Sequence, residues 1–183
     1  MATIGLRGFR YAKLGPDGTN YGPIKNVAGA IEVGASLDLK EAALHADDTI
    51  FEYDSVFGGG TLTLGVADDD PETFSELLGN EYDQQSGIVT RKSDDTAIYV
   101  GWGYVLPQII LNVRKFRIEF FPKVKFKPYV SSAKTKGDSL EFTNPSVEGS
   151  IFENVDRVWG KYGVFTTETA ANEALDNLFL EAA

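Results

Sequence analysis

The chain has 183 residues, 43% hydrophobic and 24% charged, with no cysteine and one histidine. One domain of this length buries roughly 70% of its unfolded surface without disulfides, and the composition excludes thiolate catalysis, zinc knuckles and Cys/His metal clusters. The formal net charge of −10 argues against ordinary nucleic-acid binding, in which Lys and Arg replace phosphate counterions. No apolar run is long enough for a membrane helix, and residues 1–7 lack the apolar stretch of a signal peptide, so folding in a reducing compartment is expected.

The charge is unevenly spread. Residues 1–90 hold fifteen acids against five bases, whereas 91–183 hold twelve of each. Within the second half, 111–136 carries eight bases against Glu119 alone. Such zones either keep separate faces solvated or let copies of the chain dock acidic face to basic face. Charge alone leaves both readings open.

In chain order, residues 9–14 alternate as a strand and stop at Gly15-Pro16-Asp17-Gly18, a turn signal. Ile31, Val33, Ala35, Leu37 and Leu39 then take one face of a strand, with Glu32, Ser36, Asp38 and Lys40 on the other. That period of two predicts a strand with one buried face. Leu62, Leu64 and Val66 repeat the pattern. Between these strands, 45–60 is expected to be a long inter-strand loop. Its Ile50, Phe51, Tyr53, Val56 and Phe57 are residues that a solvent loop avoids, so it is expected to pack against something, another chain included.

Residues 68–79 predict a short helix. An Asp caps it, Pro71 fits the first turn, and Phe74, Leu77 and Leu78 form its buried stripe before Gly79 stops it. The Asp68-Asp69-Asp70 run is read as capping, since it lacks the spaced ligands of a calcium loop. Residues 97–105 alternate as a strand. In 113–127, Phe116, Ile118, Phe120, Val124 and Phe126 share one parity, and Lys115, Arg117, Glu119, Lys123, Lys125 and Lys127 the other. This predicts one long strand, or two broken near Pro122, which marks an edge or a bulge. Aromatics opposite the cations point into a core, unlike the exposed stacking aromatics of an RNA-binding sheet. Residues 138–142, 146–152 and 157–165 follow as strands, and 166–182 as a C-terminal helix with Leu175, Leu178 and Phe179 at helical spacing. The whole, 1–183, reads as one mainly β domain: an antiparallel β-sandwich with a short internal helix and a C-terminal helix.

No catalytic constellation emerges. His45 beside Asp47 and Asp48 has no nucleophile motif near it and reads as structural or exposed. Gly58-Gly59-Gly60 lacks the Lys of a phosphate loop and precedes a strand. Trp102, Tyr104 and Trp159 could be sugar platforms in a carbohydrate-binding sandwich, or core residues. No enzyme activity, cofactor or metal is expected.

Taken in order, several segments resemble the major tail tube proteins of long-tailed, non-contractile bacteriophages. They are Tyr11-Ala-Lys-Leu, Ala28-Gly-Ala-Ile, Leu44-His-Ala-Asp-Asp, Glu52-Tyr-Asp-Ser-Val-Phe and Gly60-Thr-Leu-Thr-Leu-Gly-Val in the first half. In the second half they are Phe74-Ser-Glu-Leu-Leu-Gly, Ile88-Val-Thr-Arg-Lys-Ser, Phe121-Pro-Lys-Val-Lys-Phe and Lys134-Thr-Lys-Gly-Asp-Ser-Leu-Glu-Phe. The likeness runs to about Phe152.

The resemblance implies a virion tail protein assembled in the host cytoplasm. It implies a β-sandwich that forms hexameric rings stacked into a tube, each subunit lending about four strands to an inner barrel. Twenty-four strands about 4.8 Å apart, tilted about 40°, make a circle on the order of 48 Å across, wide enough for a DNA duplex. The implied partners are further copies of the chain, a tape-measure protein, and tail-tip and tail-terminator proteins, with viral DNA passing through and no membrane insertion. Glu32, Asp38 and Glu141 are candidates for an acidic lumen wall. Lys115, Arg117, Lys123, Lys125 and Lys127 are candidates for charge contacts with a neighbouring subunit. The resemblance also implies that Ile50, Phe51, Tyr53, Val56 and Phe57 stack one ring on the next. The tube of a related injection machine, such as a phage-tail-like bacteriocin or a secretion tube, fits the same features.

Overall fold

A computed structural model describes residues 2–46, 49–67, 70–130 and 145–181. In chain order the elements are β1 (Ala2–Thr3), β2 (Arg7–Lys13), β3 (Lys25–Val27), β4 (Ala30–Ala46), β5 (Thr49–Val66), α1 (Pro71–Leu78), β6 (Glu81–Asp83), β7 (Ile88–Thr90), β8 (Tyr99–Ile110), β9 (Val113–Phe126), β10 (Ser146–Phe152), β11 (Lys161–Phe165) and α2 (Glu168–Glu181). The described pairings are all antiparallel. The main sheet runs β3-β2-β8-β9-β10-β5-β4, with β1 added on β8 and β11 on β9, and β6-β7 form a separate hairpin. Strands β2 and β4, far apart in that order, meet in space, so the sheet folds over on itself. The result is a mainly β chain consistent with a β-sandwich, carrying one short internal and one C-terminal helix.

The folded sheet encloses one core. Phe9 and Tyr11 of β2, Trp102 of β8, Leu62, Leu64 and Val66 of β5, and Val147 and Ile151 of β10 are buried in it. Helix α1 closes one side of this core with Phe74, Leu77 and Leu78. Its cap is as expected: the Asp70 carboxylate accepts from the Thr73 backbone N–H at 3.0 Å, and Gly79 ends it at φ 73°. Helix α2 covers the opposite face of the sheet, setting Ala171, Leu175 and Phe179 on Val105, Phe116, Ile118 and Phe120. Arg10 holds it through Asp176 at 2.6 Å and Asn172 at 2.8 Å. Close approach requires Gly103, where an added Cβ would lie 2.6 Å from the Leu175 side chain.

Strand β9 is continuous through Pro122, and a bulge there changes its facing. Val100 pairs with Val124 but Trp102 pairs with Phe121, so β9 has one residue more than β8 at this point. A one-residue slip moves side chains to the other face. The shared parity expected for 113–127 therefore breaks in two. Phe116, Ile118 and Phe120 lie under α2, whereas Val124 and Phe126 join the main core. Pro122 sits where β9 exchanges one neighbour for another, between Phe120 opposite Lys161 and Lys123 opposite Phe152.

The segment 45–60 is not a long inter-strand loop. Strand β4 extends to Ala46 and β5 begins at Thr49, so the segment is the far half of a hairpin. The period of two in Glu52-Tyr53-Asp54 continues the strand. The glycine triplet absorbs a bulge instead of ending it: Asp38 pairs with Gly59 and Leu39 with Phe57, and Gly59 takes φ 135°.

Candidate functional site

Strand β4 departs from expectation in its burial. Among the described residues it is the last strand of the sheet and pairs only with β5. Its near end is anchored: Val33 packs on the core opposite Leu64. Farther out, β5 has no second neighbour among the described residues, since β10 pairs with it from Gly60 to Gly65. From there the two strands form a two-stranded arm.

The core-facing side of that arm keeps its apolar pattern, but beyond Phe57, which packs on Trp159, much of it is exposed. Leu37 is 40% exposed, Leu39 53% and Tyr53 57%. Ile31, at the bulge near the root, is also exposed. The face expected to be buried, from Ile31 to Leu39, is therefore mostly open in the single chain. Its alternation is real, but burial depends on a layer across from it. Glu41 shares the side of Leu39 and hydrogen-bonds Tyr53, which pushes the phenol above its ordinary pKa.

The expected ring-stacking residues divide. Tyr53 and Val56 are exposed on the arm, on opposite sides of it. Phe57 stacks on Trp159 at 5.2 Å and belongs to the edge of the chain's own core. The side chains of Ile50 and Phe51 lie outside the described residues, as do those of His45, Asp47 and Asp48.

Neither described helix packs on the outer face of β10, β5 and β4, which β9 joins at its far end. Direct pairing aligns Ser36, Thr61, Ser150 and Lys125 in one row, and Gly34, Thr63 and Glu148 in the next. Glu32 and Asp38 are exposed on this same face. Glu141 lies outside the described residues. The face is not uniformly acidic. Lys40 shares it, as do Lys123 and Lys125, whose ammonium groups lie 4.8 and 5.1 Å from the centre of the Tyr99 ring. Lys127 faces Glu148 at 3.6 Å.

The bulge at Pro122 separates the other two basic candidates from these. Lys115 and Arg117 lie on the core-facing side of β9, beyond the end of the core, opposite Gln108 and Leu106. Arg117 pairs with Glu119 at 2.5 Å and stacks on Tyr162 of β11 at 4.5 Å. Burial raises the pKa of Glu119 even though Arg117 opposes the shift. Burial and the nearby Glu119 likewise push Tyr104 up. Beside this pair, Tyr162 is 69% exposed and Val164 43%. Sequence reading missed these two. They alternate with glycine in a short strand, and no pattern in that strand reports whether its faces are covered.

The possible sugar platforms are mostly interior. Trp102 is fully buried among Phe9, Tyr11 and Phe126, and Tyr104 is nearly so. Trp159 is half-buried against Phe57. Among the described residues no group of three His, Asp or Glu side chains is placed to hold a metal ion. The chain matches no protein-family profile and no curated protein sequence.

Proposed function

We propose that this chain is a structural subunit that assembles with copies of itself into rings stacked as a tube, of the kind that forms the tail conduit of non-contractile phages. The observation that carries this reading is the β4–β5 arm. Among the described residues it offers an unpaired sheet edge along β4 and a partly exposed apolar side at Leu37, Leu39 and Tyr53. Exposed edges and apolar stripes are liabilities that a lone protein blunts and an assembling one uses. A heterologous contact between copies closes into a ring when its rotation permits.

The outer face of β9-β10-β5-β4 supports the conduit half of the proposal. Four adjacent strands present Ser36, Thr61, Thr63 and Ser150 with Glu32, Asp38 and Glu148. Its cations are largely engaged, Lys127 by Glu148 and Lys123 and Lys125 by Tyr99. Such a wall holds few free charges for a phosphate backbone to exchange its counterions against. In this reading Glu32 and Asp38 keep their place in the lumen.

Negative-stain electron microscopy across a concentration series tests the proposal. Hollow tubes or six-fold rings are expected, and they disappear in a Leu39→Ala, Tyr53→Ala double variant that stays folded. Wild-type particles that remain monomeric at every concentration count against it.

A further inference from the structure

We propose that a small cavity between the β1–β2 connection and the start of β9 binds a tetrahedral oxoanion of phosphate or sulfate size. The cavity, of about 110 Å³, is lined by residues 4–7, Pro107, Arg114 and Phe116. Register explains why these residues meet. Along β8, Val105 lies opposite Arg7, Pro107 opposite Phe116 and Ile109 opposite Arg114. The Ile4 N–H donates to the Pro107 carbonyl at 2.9 Å. These pairs stand on the α2 side of the sheet, away from Lys115 and Arg117. The inference is independent of the self-assembly reading.

Charge and size select the occupant. Two guanidinium groups line the cavity, and no acidic side chain is among its lining residues. Arg7 gives one nitrogen, Nη1, to both carboxylate oxygens of Glu168 at 3.1 Å, which leaves Nε and Nη2 outside the described hydrogen bonds. Arg114 makes none of the described ion pairs. The backbone adds donors: Gly5 can offer only backbone, and the N–H groups of Gly5 and Leu6 take part in none of the described hydrogen bonds. Like charges around one cavity repel, and an anion between them replaces that repulsion with charge-assisted hydrogen bonds. The volume exceeds what one water needs and falls well below the roughly 300–1,000 Å³ of a drug-sized ligand site. The occupant is therefore a small ion, with donors reaching it from the β1–β2 side and from β9. Such an ion joins the β1–β2 connection to β9 across β8. Among the described residues, β1 is otherwise a two-residue strand that pairs with β8 alone.

Isothermal titration calorimetry of the full chain with sodium phosphate, sulfate and acetate, against chloride at equal ionic strength, tests the site. Saturable binding of phosphate and sulfate is expected. Arg114→Gln should weaken it roughly tenfold or more, as expected for the loss of a charge-assisted hydrogen bond. Arg7→Gln should weaken it further, because Glu168 then stands near the anion unanswered. Lys161→Gln removes an exposed cation elsewhere and should leave binding unchanged. Thermal midpoints give a second readout, since an ion that binds only the folded chain raises the midpoint with its concentration. Phosphate and sulfate also stabilise folded proteins by exclusion from their surface. The quantity read is therefore the part of the rise that Arg114→Gln loses and Lys161→Gln keeps. No saturable heat, with equal midpoint rises in the parent and Arg114→Gln, overturns the site. Equal losses in Arg114→Gln and Lys161→Gln mean diffuse charge attraction and overturn it as well. Acetate that binds as tightly as sulfate overturns the tetrahedral occupant.

Discussion

The two halves of the β4–β5 hairpin share one pattern and meet different surroundings. In the near half, Leu62, Leu64 and Val66 have no exposed surface. In the far half, Leu39, Tyr53 and Val56 are each more than half exposed. Alternation decides which side of a strand is apolar. Only a second layer decides whether that side is buried. Burial is worth roughly 25 cal/mol per Å², and the near half collects it from the Trp102 cluster within its own chain. A bare two-stranded ribbon is marginal in water. The arm is tied down at its root by the Phe57–Trp159 stack, and in the proposed assembly its remaining apolar surface is what another copy would cover.

The largest expected effect is therefore in the near half's core. Trp102→Ala removes the ring that Phe9, Tyr11 and Phe126 pack against, at a cost of about 3–5 kcal/mol in urea unfolding. Trp102→Phe is expected to cost much less. Among the described residues the indole Nε1 has no hydrogen-bond partner, so the smaller ring also removes a buried donor that is left unsatisfied there. If both variants were equally damaging, shape and not polarity would govern this site.

A smaller loss is expected where α2 meets the sheet. Gly103→Val would force a side chain into Leu175 and against the Glu119 carbonyl, 3.3 Å from the position of the new Cβ. Overpacking of this kind costs about 1–3 kcal/mol. It should lift α2 and leave the Trp102 side intact, which near-ultraviolet circular dichroism can separate from far-ultraviolet helix signal.

Much of this architecture was legible in the sequence. The Asp-Pro start and Gly stop of α1, the apolar stripe of α2 and the turn after β2 each follow from a few neighbouring residues. Three features were not, and each depends on distant parts of the chain. The flip at Pro122 needs the partner strand, because a bulge is a count of two residues against one. The hairpin at 45–60 was hidden by its three glycines, which read as loop punctuation, although there they accommodate a bulge and the side chains of Leu37 and Lys40. The exposure of Leu37 and Leu39 needs knowledge of what lies across the sheet, and alternation carries none. The basic row was visible as charge, yet its division between two faces followed only from the bulge.

A pH series probes the join between α1 and the sheet. Glu76 accepts from the Tyr11 hydroxyl at 2.8 Å and from Lys25 at 2.7 Å. Burial pushes its carboxyl up, but these partners outweigh it and hold the pKa below the ordinary 4.5. A carboxyl lowered on folding adds stability above its unfolded pKa and loses it as pH falls through the folded value. Glu76→Gln is expected to cost about 1 kcal/mol at neutral pH, a figure reduced for its partial exposure. The difference from the parent should shrink as pH falls from 4.5 through the lowered folded value, below which both side chains are uncharged. A gap that widens on acidification would reverse the assigned sign.

The smallest effect on unfolding is the most informative. Leu39→Ala removes an apolar side chain already more than half in water, so monomer stability should change by no more than about 0.5 kcal/mol. Leu64→Ala, on the neighbouring strand of the same hairpin and fully buried, should cost about 2–5 kcal/mol. Measured below the concentration at which copies associate, that contrast isolates what the chain does for itself. Measured above it, the proposed assembly predicts that Leu39→Ala loses association that the parent retains, because another copy would cover the surface it trims. If Leu39→Ala instead cost as much as Leu64→Ala in dilute solution, the arm would be folded against its own body, and the contrast between the two halves would be gone.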